Sequence, residues 1–492
     1  MHQLPLQGLV RIGAFCILPV IAACADLATS PAPSALVPRP AASVSSGTPT
    51  GKTVVVFTDT AAIPDAGLEL IASVGGVVTE RWDDIGVAFV TGLSVDALTS
   101  LDASDLVAAV GNDRILSWLP GVRAYGAVEG EASLDTRKEP WTARFYADGT
   151  QWGMRVIGAD KAWAAGHQGT PATRVAIIDT GIDYDHRELK GLVDHSASTS
   201  FAHLIVAEDG VEASVPVEPQ YPGDHPYMDN HFHGTHVAAT VASNNISVAA
   251  VSPRVTVIAV KVLSFTGSGT FESVASGIRH AAGAANADVI NMSLGANVEP
   301  GEEGVPALLE LMRRVISQAE KQGTIVISAA GNSSLNLDEG TIVSTPCEQS
   351  SICVSATGPL MQQNFDQAAT YTNYGITAIE VAAPGGNASD DGNYVTKDLI
   401  ISACSRRSSA ATLNVCRTNT DGVVYFYAYA AGTSMASPHV AGEAALIKSA
   451  DPLISVNGIR AKILHSADDV QDSGRDIFTN WGRINAAKAL GL

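Results

Sequence analysis

Six short apolar segments decide what this chain can fold into: RVAIIDTG (174–181), VTVIAVKVL (255–263), ADVINMSLG (287–295), GTIVISAAGN (323–332), SICVSATG (351–358) and IEVAAPGG (379–386). Stretches of helical periodicity lie between them. A strand with one wet face alternates apolar and polar residues, whereas a strand covered on both faces need not. From about Gly149 to Leu492 the pattern predicts an α/β fold, a mostly parallel sheet layered between helices. Ligands on such sheets sit outside the carboxyl ends of the strands. Several segments end on residues with chemistry to offer there, Asp179, Ser293 and Asn332.

Upstream, residues 51–120 hold strand-like VVVFTD and VAFVTGL alternating with helix-like AGLELIASVGG and SVDALTSLD, which predicts a small α+β unit. Residues 121–148 are charged and glycine-containing and read as an exposed linker. Residues 24–50, rich in Ala, Ser and Pro, read as a flexible tether. Before them Arg11 precedes the apolar run IGAFCILPVIAA (12–23), too short for a membrane span of about 20 residues and suited to an export signal. Its junction IAAC resembles a bacterial lipobox, which makes Cys24 a lipidation candidate and the mature protein extracytoplasmic, secreted or anchored to a membrane surface.

With 492 residues and 46% hydrophobic content the chain can bury a large core in more than one part. Its 50 Asp plus Glu against 30 Lys plus Arg leave a net charge of −20, which would repel phosphate backbones and argues against a nucleic-acid partner. Beyond Cys16 and Cys24, four cysteines remain. An exported chain can pair them, and the local pairings Cys347 with Cys353 and Cys404 with Cys416 are favoured among three possibilities.

Four residues carry a possible chemistry. Asp179 ends an apolar strand, where an isolated Asp-Thr-Gly is more often a turn. DNHFHGTHVAATVA (229–242) brings His231, His233 and His236 together, with His233 at the start of a small-residue helix. An imidazole there suits a general base, and the cluster also suits a metal, although no HExxH or further His/Cys cluster completes a site. Asn332 follows a buried strand and can donate to an oxyanion. Ser434, in AGTSMASPHVAG (431–442), stands where a serine commonly caps a helix. Together a carboxylate, an imidazole, an amide and a hydroxyl, all at strand ends or helix starts, form a set for acyl transfer.

VAIIDTGID, HGTHVA, AAGN and GTSMASPHVAG, in this order, resemble the signature segments of the subtilisin-like serine proteases, the subtilases. The resemblance spans roughly residues 150–490. It implies a three-layer α/β/α fold and a catalytic triad of Asp179, His233 and Ser434, with Asn332 and the Ser434 N–H in the oxyanion hole. Backbone at Ser293, Leu294 and Gly295 would pair with extended protein or peptide substrate as an added strand. His236 and His439 match positions that pack structurally. The 51–120 unit resembles the family's ferredoxin-like, inhibitor-like propeptide, which implies a zymogen that cuts itself between Pro120 and Gly149.

The chain departs from the family pattern in places. Phe232 and Ala239 stand where glycine is common. SNNISVAAVSP (243–253) is shorter than the family's calcium-binding loop, with Asn244 and Asn245 as remaining oxygen donors. No cofactor is expected for the chemistry, and structural calcium is left open, as are metal ligands. Two other functions stand against the protease: a catalytically silent peptide binder, and a metal-dependent hydrolase built on His231, His233 and His236.

Overall fold

The computed structural model describes residues 47–119, 123–127, 136–204, 221–347, 349–388, 395–408, 416–420 and 423–492. The expectations for the export signal, for Cys24 and for the tether up to residue 46 lie outside the described residues.

The N-terminal unit runs β1 (Thr48–Phe57), α1 (Asp65–Ser73), β2 (Val77–Trp82), β3 (Val87–Thr91), α2 (Val95–Asp102), β4 (Val107–Ser117). Its strands lie in the order β2-β3-β1-β4, all antiparallel, which is the split βαβ arrangement. Alternation along the strands gives each face its own core. Val55, Phe57, Ala88 and Val90 meet Ile71 of α1 and Leu101 of α2, while Val54, Val56, Val87 and Phe89 join the core of the larger domain.

The chain continues through β5 (Arg123–Ala127) and three short helices, α3 (Arg144–Ala147), α4 (Trp152–Val156) and α5 (Ala159–Ala164). Then follow β6 (Arg174–Asp179), β7 (Thr199–Ser200), α6 (His233–Val241), β8 (Thr256–Lys261), β9 (Ser268–Thr270), α7 (Phe271–Ala282), β10 (Val289–Met292), β11 (Ala296–Val298), α8 (Val305–Lys321) and β12 (Ile325–Ala329). The remainder comprises β13 (Val343–Thr345), β14 (Ile352–Thr357), β15 (Val381–Pro384), β16 (Ile400–Ala403), β17 (Arg417–Thr420), β18 (Val423–Ala431), α9 (Thr433–Ala450) and α10 (Val456–Ser466).

Seven strands form one sheet in the order β15-β14-β12-β10-β6-β8-β7, each neighbouring pair parallel. The predicted apolar segments are its strands because both faces are covered. Val175, Ile177, Val257, Ala259, Ile325 and Ile327 point to the layer that holds α6 and α9, whereas Ala176, Ile178, Ile258, Val260, Ile290 and Val326 point to α7 and α8. From β6 the chain goes to β8 on one side and to β10 on the other, so the sheet's switch point lies at the end of β6, at Asp179.

Two expected boundaries move. The tether was to reach residue 50, but β1 starts at Thr48, where Thr48 and Pro49 pair with Ile115 and Arg114. TPTG has the composition of a turn, and its partners Ile115 and Arg114 are far along the chain, out of reach of a local reading. Likewise residues 121–148 are not simply a linker. β5 pairs with β18, and Phe145 of α3 is buried edge-on against Tyr427 with ring centres 5.4 Å apart. One short helix gives too brief a period to be seen in sequence.

The N-terminal unit docks on α7 and α8. Arg314 of α8, buried, donates to the carbonyl oxygens of Phe57 and Ile85 at 2.8 Å each. Lys52 pairs with Glu272 at 2.9 Å and Arg279 with Asp84 at 2.9 Å. β4 also pairs antiparallel with β9, so the small sheet continues into the larger domain.

Candidate active site

Asp179 is the last residue of β6 and is fully buried. One of its oxygens accepts the Thr180 N–H at 2.7 Å, and the two oxygens lie 2.8 and 3.0 Å from Nδ1 of His233. A carboxylate can only accept, so Nδ1 carries the proton and Nε2 presents its lone pair. That nitrogen, also buried, has no hydrogen-bond partner among the described residues.

His233 is the first residue of α6, and the start of this helix is tied to the end of β6. Thr180 Oγ1 accepts the Gly234 N–H at 3.0 Å, and Asp229 accepts the Thr235 N–H at 3.0 Å. Asp229 also takes the His231 and Phe232 N–H groups at 2.8 and 3.1 Å and the hydroxyls of Thr180 and Thr235 at 2.9 and 2.6 Å. These satisfy first-turn donors that no side chain of the helix itself caps. Phe232 has a φ of 142°, a region that favours glycine. Its ring is buried beside Cys404, Cys416 and Ala428, which anchors the unusual backbone.

Ser434 is the second residue of α9, and its Oγ donates to the Ser293 carbonyl oxygen at 2.9 Å rather than to His233. Asn332 follows β12. Its Oδ1 accepts the Thr433 N–H at 2.8 Å and the Thr433 hydroxyl at 2.9 Å, which fixes the amide so that its NH2 is the other end. Gly295, after Ser293 and Leu294, donates its N–H to the Trp118 carbonyl oxygen at 2.9 Å, while Trp118 N–H donates to Gly267 at 3.0 Å. The end of the N-terminal unit thus lies between the segment before β9 and the Ser293–Gly295 segment.

The structure thus pairs Asp179 with His233 and, separately, ties Asn332 to Thr433 beside Ser434, and it holds three other histidines elsewhere. Nε2 of His236 donates to the carbonyls of Ile400 and Ala428 at 3.2 Å each, and His439 Nδ1 donates to Met435 O at 2.8 Å. Burial holds both imidazoles well below the usual range, at about 3 for His236 and about 4 for His439. His231 is likewise pushed down to about 3, by burial and then by the neighbouring His233. With Nδ1 of His233 spent on Asp179, the three histidines do not converge, and among the described residues no group of three or more His, Cys, Asp or Glu is placed to hold a metal. Disulfides join Cys347 to Cys353 and Cys404 to Cys416. The first packs with Ala330, two residues before Asn332, and the second beneath Phe232.

Sequence reasoning passed over Asp229 and Thr180. The signal was present, since an Asp a few residues before a helix start is a capping residue. It also passed over Arg406, whose guanidinium makes two bonds of 2.8 and 2.7 Å to buried Asp183 and ties the loop after Cys404 to the turn beyond Asp179.

The subtilase family profile matches residues 170–482. Subtilisin DY of Bacillus licheniformis is 33% identical over 69% of this chain and 97% of its own. Thermitase of Thermoactinomyces vulgaris is 31% identical over 70% of this chain and 97% of its own. Among solved structures, fervidolysin from Fervidobacterium pennivorans, a keratinolytic enzyme related to subtilisin, shares the fold with a TM-score of 0.66 at 22% identity, over 92% of this chain and 62% of its own. The fold is the three-layer α/β/α arrangement of the subtilisin-like proteins. The chain belongs to the subtilase family, whose members are subtilisin-like serine endopeptidases.

Proposed function

We propose that this chain is an active serine endopeptidase, made as a self-processed zymogen, that hydrolyses peptide bonds of proteins through an acyl-enzyme. The observation that carries this reading is the buried Asp179–His233 pair, with Nδ1 held at 2.8 and 3.0 Å and Nε2 unengaged. Asp179 fixes the tautomer and stabilises the imidazolium that forms. Ser434 leaves the Ser293 carbonyl, gives its proton to Nε2 and bonds to the substrate carbonyl carbon. The oxyanion takes hydrogen bonds from Asn332 and the Ser434 N–H. His233 then returns the proton to the departing amine, and water repeats the sequence on the ester.

Extended substrate would add as a strand on Ser293, Leu294 and Gly295. In the uncut chain the carbonyl of Trp118 takes the Gly295 N–H, which supports the reading of the N-terminal unit as an intramolecular inhibitor. The cut that frees the cleft falls after Pro120 and before Gly149. The export segment and Cys24 complete the proposal: a protein delivered outside the cytoplasm, secreted or held to a bacterial membrane surface by lipid.

Expression of wild type and Ser434→Ala in a protease-deficient host tests this. Maturation of wild type alone, with casein hydrolysis by its mature form, is expected. Equal maturation of both would refute self-processing, and a mature form that neither cleaves casein nor reacts with a fluorophosphonate would favour the silent binder.

A further inference from the structure

The loop at 243–253, which resembles a shortened form of the family's calcium-binding loop, invites a question about ions. Its centre is Glu188, a fully buried carboxylate. One oxygen accepts the Ser247 and Val248 N–H groups at 2.7 and 3.4 Å and the Tyr427 hydroxyl at 2.7 Å. The other accepts the Ile246 N–H at 2.9 Å and the Ser243 hydroxyl at 2.7 Å. Five donors thus fill the roughly four lone-pair sites that a carboxylate offers. Tyr427 is held in its protonated, donating form, since burial and then the Glu188 charge push its pKa well above the ordinary value.

A calcium ion needs about six to eight oxygens turned towards it. Here several of the loop's oxygens already accept from protein donors. The carbonyls of Asn244 and Ser247 accept from Lys138 N–H and Phe145 N–H at 2.9 and 2.8 Å. Gln151 takes both groups of Ala249, its amide nitrogen donating at 3.0 Å and its oxygen accepting at 2.7 Å. The two asparagine oxygens are engaged as well, Asn244 Oδ1 by Arg137 at 3.2 Å and Asn245 Oδ1 by the Ala250 N–H at 3.4 Å. A cation at the carboxylate would face the positive ends of three peptide dipoles.

We propose that this loop takes no calcium, and that the Glu188 carboxylate, ringed by the 246–248 amides and Tyr427, replaces the ion as its organising charge. The loop closes around an anion instead of a cation. The inference is independent of the proposed catalysis, and it concerns this loop alone.

Thermal unfolding of the full chain carrying Ser434→Ala, which prevents self-digestion, tests it in millimolar calcium and in excess EGTA. Glu188→Gln is expected to lower the melting temperature by roughly 2–5 °C, and Tyr427→Phe by less, each by the same amount in both solutions. Calcium bound per chain, measured by equilibrium dialysis, should be unchanged by either substitution. A loss that appears in calcium and vanishes in EGTA, one calcium fewer in Glu188→Gln, or unchanged stability in both variants would overturn the proposal. If Glu188→Gln does not fold, Tyr427→Phe alone carries the comparison, because its effect is read in the same two solutions.

Discussion

Replacing Asp229 by asparagine is a sharp test of how His233 is held. The wild-type carboxylate takes three backbone N–H groups, two on Oδ1 and that of Thr235 on Oδ2. An amide supplies one acceptor end. With its oxygen at the Oδ1 position, the Thr235 N–H faces an NH2; flipped, the His231 and Phe232 N–H groups both do. The better orientation therefore leaves one buried donor unsatisfied, at about 1–3 kcal/mol, and removes the charge from the remaining bonds. We expect a stability loss of about 2–4 kcal/mol and a shift of the α6 start relative to β6. A misplacement near 1 Å costs about 100-fold in rate. Per titrated active site, kcat should fall by about 10- to 100-fold with little change in KM. Thr180→Ser, which keeps the hydroxyl that links Asp229 to the Gly234 N–H, should stay near wild type. Active-site titration followed by peptide hydrolysis reads the rate, and thermal unfolding of the Ser434→Ala form reads stability. Wild-type kcat and stability in Asp229→Asn would refute the reasoning.

Other outcomes follow from the same geometry. Asn332→Ala should lower kcat about 10²- to 10³-fold with KM little changed, a magnitude taken over from a subtilisin, a relative of this chain, and checked by steady-state kinetics. Asp113 lies buried between β4 and α7, its carboxyl pushed up to about 7 by burial and then by the Glu272 charge. Docked, it stays protonated where the free carboxyl near 3.8 would ionise, so docking is strongest below about pH 4 and weakens as pH rises to about 7. Gel filtration of the Ser434→Ala chain, cut between residues 120 and 149 by an added protease, should show more N-terminal fragment released at the higher pH across that range, and Asp113→Asn should flatten the dependence. Met435 is fully buried beside Ser434. Where peroxide reaches the thioether, the polar sulfoxide formed in this packed site should impair the mature enzyme, and full turnover with Met435 oxidised would contradict this.

The sheet was readable because its strands, covered on both faces, leave uninterrupted apolar runs such as VAII and VIAV. The candidate triad was readable because strand ends and helix starts carry Asp179, His233 and Ser434 within local patterns. What stayed hidden depends on long-range pairing. Asp183 and Arg406 are 223 residues apart, and the Thr48 pairing with Ile115 has no local signature. Glu188 sits in the unremarkable run HRELK, and only the folded loop shows its five donors. Phe232 looked like a simple replacement of glycine, but its strained φ, fixed by Asp229 and the Cys404–Cys416 bridge, is a property of the assembled site.

The central claim is that Ser434 is a nucleophile driven by the Asp179–His233 pair. Mass spectrometry of the mature enzyme after treatment with a fluorophosphonate tests it most directly. The account predicts a single covalent adduct on Ser434, formed in step with loss of casein hydrolysis and suppressed in His233→Ala. Casein hydrolysis that persists with Ser434 fully labelled, or an unlabelled Ser434 in an active enzyme, would contradict it.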